Sequence, residues 1–217
     1  MIQESGRKNE WNTGFEWDEI ADLCLKEVFK LDQFRENQRE IINATMKQKD
    51  VLALIPTGGG KSLTFQLSAL LEEKITFVIM PLISLIEDNF TFVRGLGIPC
   101  TSLTQTGSNK IGKETYSQIR KAEYKLVYLT PEKLVKSDSL LRILEELYSE
   151  GKIGRFVIDE VHCVSHWGQD FRKDYLSLSI LKERFPDTPI LGLTATATVK
   201  VKEDLVQRLG LKDPLYF

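Results

Sequence analysis

Pro56-Thr57-Gly58-Gly59-Gly60-Lys61-Ser62 lies between the apolar run Val51-Leu52-Ala53-Leu54-Ile55 and the stretch Leu63-Thr64-Phe65-Gln66-Leu67. The order reads as strand, glycine loop, helix, which is the layout of a phosphate-binding loop. Three successive glycines let the backbone curl through positive φ with no Cβ in the way, so several N–H groups can converge on one chain of phosphates. The helix that follows aims its positive end at the same place. On this reading Thr57, Gly58, Gly59 and Gly60 cradle the phosphates, Lys61 neutralises the β/γ charge, and Ser62 offers a hydroxyl to Mg²⁺. The general spacing G-x-x-x-x-G-K-[ST] expects a glycine where this chain has Ile55. The bland alternative is a glycine-rich turn that happens to contain Gly-Lys-Ser. The loop by itself says only nucleoside triphosphate.

Short apolar runs alternate with helical patterns from Val51 onward, with strands expected at 51–55, 75–79, 99–103, 125–129, 154–158 and 189–193. Helices are expected near 61–72, 84–95, 110–122, 139–149, 174–185 and 199–209, the last opened by Thr198 and closed by Gly210. Two amphipathic helices, over 17–29 and 35–46, precede the first strand. Such alternation predicts an α/β domain with a mainly parallel central sheet flanked by helices on both faces. In that architecture ligands sit at the carboxyl ends of the strands.

With 217 residues and 42% hydrophobic content, the chain can bury the core of one large domain, set at 17–217 after a polar, flexible lead-in over 1–16. A net charge of −2 excludes a globally basic nucleic-acid binder but leaves room for a local groove. Cys24, Cys100 and Cys163 are widely spaced, with His162 and His166 as the other soft ligands, so neither a disulfide framework nor structural zinc is expected. No run approaches a membrane span and no apolar signal core opens the chain, which predicts a soluble intracellular protein.

Phe156-Val157-Ile158-Asp159-Glu160 is an apolar strand that ends in two adjacent acids. Beside a phosphate loop, Asp159 is suited to hold Mg²⁺ through water opposite Ser62, and Glu160 to orient or activate the attacking water. This pairing requires the strand at 154–158 to lie near the strand at 51–55.

Taken together, the motifs carry a resemblance. Pro56-Thr57 is the loop entry seen in many helicases, and Asp159-Glu160-Val161-His162 resembles the DExH box of superfamily-two helicases. Ser165-His166-Trp167-Gly168-Gln169-Asp170-Phe171-Arg172 is similar to the aromatic-rich loop of RecQ-type DNA helicases, nearest to the eukaryotic Bloom-type members. Phe34-Arg35-x-x-Gln38, Pro81-Leu82-Ile83-Ser84-Leu85, Thr130-Pro131-Glu132 and Thr194-Ala195-Thr196-Ala197 match that family's adenine-recognition motif and motifs Ia, Ib and III, in the family's order.

The resemblance implies the first RecA-like lobe of a P-loop NTPase that couples hydrolysis of Mg-ATP to 3′-to-5′ unwinding of DNA in repair and recombination, in the nucleus if the source is eukaryotic. It implies that Arg35 and Gln38 bind adenine and that His162 acts with the acid pair. It further implies that Ser84, Thr130, Trp167, Gln169, Phe171, Arg172, Thr194 and Thr196 contact DNA or couple its binding to hydrolysis. A glutamine such as Gln38 on a helix surface, or aromatics such as Trp167 and Phe171 packed in a core, are the structural alternatives. Three positions depart from the family: Gln169 stands where His is usual, Val161 where DEAH has Ala, and Asn89 where motif Ia commonly ends in Gln. Gln169 cannot titrate near neutrality, so no proton-linked role falls to it. A second RecA-like lobe would bring the arginine fingers, and without it weak nucleotide binding and negligible turnover are expected. A DExH-type RNA helicase lobe, a non-catalytic docking module and a small-molecule P-loop kinase are the other readings.

Overall fold

The computed structural model describes residues 8–104, 112–167 and 171–217. Seven parallel strands form one sheet: β1 (Val51–Leu54), β2 (Ile75–Ile79), β3 (Cys100–Ser102), β4 (Leu126–Leu129), β5 (Ile153–Ile158), β6 (Ile190–Thr194) and β7 (Leu215–Tyr216), in the order β3-β4-β2-β5-β6-β1-β7. On one face lie α1 (Asp18–Glu27), α2 (Gln38–Met46), α3 (Lys61–Leu70) and α4 (Ile83–Gly95). On the other lie α5 (Lys113–Arg120), α6 (Pro131–Lys136), α7 (Asp138–Ser149), α8 (Lys173–Leu176), α9 (Ile180–Arg184) and α10 (Val199–Leu209). The expected layers are therefore present, each with its own apolar core.

Side-chain alternation along the strands divides the two cores. Phe77 and Ile79 of β2 join the core under α5–α10, while Val78 between them joins the core under α1–α4. Gly192 of β6 marks where this packing is tightest, because a Cβ there would sit 2.7 Å from Leu52 Cδ2 and 3.2 Å from Val161 Cγ2. Gly192→Ala is expected to lower stability by ~1–3 kcal/mol through overpacking, read from urea unfolding.

The six expected strands all form, with ends moved by a residue or so, and β7 is an addition at the edge beside β1. The helix expected at 174–185 is instead α8, a 3-10 turn at Ser177–Ser179, and α9. Thr130 and Pro131 start α6, which periodicity had not marked: the Thr130 hydroxyl accepts from Lys133 N at 3.3 Å, and Pro131 occupies the first turn. Thr198 and Gly210 bound α10 as expected, the glycine at φ 64°. The lead-in needs correction. Lys8–Trp11 forms a 3-10 turn, Trp11 is buried, and its carbonyl accepts from Asn43 Nδ2 at 2.8 Å, so packing against α2 starts well before residue 17. Part of the helix expected over 110–122 falls on residues 110 and 111, outside the described residues.

Candidate active site

The phosphate loop leaves β1 with Ile55 N bonded to Thr194 O, at the carboxyl end of the sheet. Each glycine has a separate reason. Gly58 sits at φ 77°, a Cβ on Gly59 would press on Ile55 Cγ2 at 2.6 Å, and Gly60 combines φ 85° with a Cβ position blocked by Gln38 Nε2. Gly60 is also the N-cap of α3, so Lys61 and Ser62 occupy the first turn, where backbone N–H groups are unpaired and favour anions. Thr57 and Gly58 are exposed and Ser62 is half-buried, leaving the cradle open to a ligand.

Gln38 is buried, unlike a surface glutamine. Asn37 adopts the left-handed conformation, so α2 begins at Gln38 rather than at Arg35. The Gln38 amide then spans two elements: its Oε1 accepts from Arg35 N at 2.8 Å and its Nε2 donates to Gly60 O at 3.0 Å. The Arg35 guanidinium donates to Gly58 O. Beside it opens a polar cavity of about 550 Å³ lined by Phe34, Arg35, Asn37, Arg39 and Glu40 among others.

The acid pair reaches the same place from β5. Asp159 N continues the ladder to Ile79 O at 2.9 Å, after which Glu160 turns at φ 48° and ψ 46°, a left-handed conformation that a non-glycine residue holds at a cost. That turn brings Glu160 Oε1 to 3.0 Å from Lys61 Nζ. Asp159 Oδ1 accepts from Glu160 N at 3.0 Å. Burial pushes the Asp159 carboxyl up to about 6, with Lys61 pulling it down and Glu160 pushing it further up. A desolvated carboxylate of this kind suits a cation, so the residues present fit the expected Mg²⁺ with Ser62 across the cradle. Among the described residues no three or more His, Cys, Asp or Glu are grouped so as to hold a metal ion.

β6 lies between β1 and β5, so motif III is wedged between the loop and the acids. Thr194 Oγ1 donates to Thr196 O at 2.9 Å and lies 2.9 Å from His162 Nδ1, which is also 3.4 Å from Glu160 Oε2. The chain Lys61, Glu160, His162, Thr194 is continuous. Thr194 is buried, only 2% exposed.

The remaining predicted residues are more scattered. Ser84 is exposed in the first turn of α4, beside the exposed Leu82 and Ile83. Thr130 spends its hydroxyl on capping α6, and Thr196 is exposed. Trp167 is 61% exposed, whereas Phe171 is half-buried with its ring 3.9 Å from that of His166. Arg172 Nη1 donates to Pro81 O at 3.1 Å, tying the aromatic stretch to motif Ia. Gln169 lies outside the described residues. Asn89 points inward, accepting from Gln66 Nε2 at 3.2 Å and donating to Leu85 O at 2.9 Å. Tyr175 was not singled out in sequence: its buried hydroxyl donates to Asp159 O at 3.1 Å and supports the turn. Its only sequence signal is an aromatic at the start of a short helix.

A glycine cradle at a helix N-terminus, with its lysine on the second acid of a pair at the tip of the next strand but one, defines a phosphate-loop nucleotide-binding domain. The profile of the DEAD/DEAH box helicase family matches residues 35–205, and the chain belongs to that family. It is 51% identical to the ATP-dependent DNA helicase Q-like 4B of Arabidopsis thaliana over 99% of this chain and 19% of that one. With the ATP-dependent DNA helicase Q1 of Rattus norvegicus it shares 44% identity over 94% of this chain and 33% of that one. With the ATP-dependent helicase SGS1 of Saccharomyces cerevisiae it shares 41% over 93% and 14%. The chain thus spans at most about a third of the length of these relatives. Among solved structures, the DUF1998 helicase MrfA bound to DNA superposes with a TM-score of 0.67 at 21% identity, over 92% of this chain and 29% of that one, which speaks for the fold alone. No helix among the described residues is long and apolar enough to cross a membrane.

Proposed function

We propose that this chain is the first RecA-like lobe of a RecQ-type DNA helicase that binds Mg-ATP and one face of a DNA strand. The observation that carries the reading is the unbroken contact path from Lys61 through Glu160 and His162 to Thr194, with the exposed Trp167 only five residues beyond His162. The relatives named as DNA helicases support DNA as the polymer, and we propose repair and recombination as the setting and the nucleus as its place. Their greater length supports a second lobe that completes the cleft.

In this scheme the Gly58–Gly60 amides and Lys61 hold the phosphates, and adenine lies in the cavity beside Arg35 and Gln38. An ion bound by Ser62 and, through water, Asp159 would spread the charge that develops on the transferred phosphoryl group. When Lys61 turns to the phosphates, Glu160 loses its ammonium partner and becomes free to orient the attacking water. His162, bonded to Thr194, relays the change to motif III. Ser84, Thr130, Thr196, Phe171 and Arg172 line or brace the DNA path, since backbone contacts position without reading sequence.

The test is ATP hydrolysis by the intact protein with and without single-stranded DNA, and with RNA in parallel. DNA-specific stimulation is expected; stimulation by RNA alone would overturn the choice of polymer, and none by either would leave a docking module. Trp167→Ala is expected to lower the DNA-stimulated rate at sub-saturating DNA by about tenfold, since base stacking contributes ~1–3 kcal/mol. An undiminished ratio of the two rates would remove Trp167 from DNA contact.

A further inference from the structure

Helix α10 carries a side-chain network for which the scheme above has no use. Asp204, on its inner side, accepts from Ser165 Oγ at 2.7 Å through one carboxylate oxygen and from Arg208 Nε at 2.7 Å through the other. Ser165 is completely buried, and the same hydroxyl accepts from Trp167 N at 3.2 Å. With its proton on Asp204 and a lone pair on Trp167, the hydroxyl has one orientation, and the backbone under the exposed indole is fixed by it. One turn earlier on α10, Lys200 Nζ lies 3.1 Å from the centroid of the Trp167 ring, so the helix holds the residue at both base and ring.

The placement of α10 gives this grip a direction. The helix starts at Val199, capped by Thr198, directly after the Thr194–Ala197 segment that bonds His162. A displacement of Trp167 is therefore felt by α10 through Asp204 and Lys200, and α10 is joined by a few residues to the catalytic network. The carboxylate is suited to the task. Burial pushes Asp204 up, but hydrogen bonds from Ser165 and Arg208, and the charges of Arg208 and His166, outweigh it and hold the group below the usual range, ionised at neutral pH.

We propose that Asp204 is a positioning residue that fixes Trp167 on α10 through Ser165, so that DNA contact at the indole is transmitted to Thr194 and the acid pair. The proposal rests on the DNA-helicase reading. In the intact protein, Asp204→Ala is expected to reduce DNA stimulation of ATP hydrolysis by roughly tenfold, within the usual span of coupling between sites. KM for ATP should stay within about twofold, the scale of indirect effects. Asp204→Asn, which retains an acceptor for Ser165, should restore most of the stimulation. Ser165→Ala should match Asp204→Ala, and the double variant should be no worse than either single one, because both remove the same link. It also serves as the second variant if Asp204→Ala folds poorly.

Full stimulation in Asp204→Ala, or losses that add in the double variant, would overturn the proposal. A wild-type protein that DNA does not stimulate would defeat the functional reading instead. In that case the rate of tryptic cleavage after Arg172 still decides the anchoring: faster cutting in Asp204→Ala than in wild type and Asp204→Asn upholds it, and equal rates in all three reject it.

Discussion

With alanine at position 61, ATP hydrolysis by the intact protein falls by on the order of 10²–10³-fold, the usual loss when one preorganised charge donor is removed from a transition state. Lys61 contributes charge at the first turn of α3 and contributes little to the core, since its side chain keeps 15% exposure and pairs with a partly exposed Glu160. Glu160 keeps 27% exposure and can be rehydrated once the ammonium is gone, so the melting temperature should move by a few degrees at most. The substitution also removes the cation that holds the Asp159 carboxyl down, leaving burial and Glu160 to push it higher and weaken its hold on a metal. Single-turnover hydrolysis beside a thermal melt checks both halves. A rate above half of wild type would mean that the backbone cradle alone carries the phosphate charge.

Glu72→Ala addresses stability far from the nucleotide. Arg155 of β5 is fully buried under α2 and α3, where one nitrogen donates to Glu72 and lies 3.3 Å from Met46 Sδ, while Nε and Nη1 find no partner among the described residues. Desolvation lowers its pKa against the pull of Glu72, yet a guanidinium does not shed its proton at neutral pH. Gly154 makes room for the pair, because a Cβ there would meet Glu72 Oε1 at 2.5 Å. Removing the acid leaves a buried charge uncompensated, at a cost of ~3–5 kcal/mol. Replacing both members, as in Glu72→Ala with Arg155→Met, should recover most of that loss, because an apolar pair needs no compensation. Urea unfolding of the single and double variants measures both effects. A cost under about 1 kcal/mol for Glu72→Ala would mean that water reaches the guanidinium.

The fold was readable because the two periods in the sequence are well separated from Val51 onward. The strands from β1 to β6 are short apolar runs, and the residues at or just beyond their carboxyl ends include the glycine loop, Asp159 and Thr194. Sequence also required β5 to lie near β1, and they are separated by a single strand. What it did not contain was the partner of each side chain. Gln38 looks like a surface glutamine because nothing in the helical pattern tells that α2 starts at that residue, with Asn37 in a left-handed turn that presents the amide to Gly60. Thr130 matched a DNA-contact motif, yet its hydroxyl caps a six-residue helix too short for periodicity to mark. Asp204 and Tyr175 were invisible for the same reason: each acts on a residue brought beside it only by the packing of α8 and α10 on the sheet.

Among the described residues β1 pairs with β6 and β7, whose residues come 140 and 164 positions later than its own in register, at Val51↔Leu191 and Leu52↔Tyr216. On the ribosome, the strand that bears the phosphate loop is thus the first made and the last to be paired. Until residues 190–216 emerge, β2, β4, β3 and β5 can assemble as one parallel block, while β1 waits with both apolar edges open, the condition in which nascent chains aggregate or recruit chaperones. Nucleotide cannot be gripped before that closure, because the cradle and the acid pair stand on opposite sides of the missing strand.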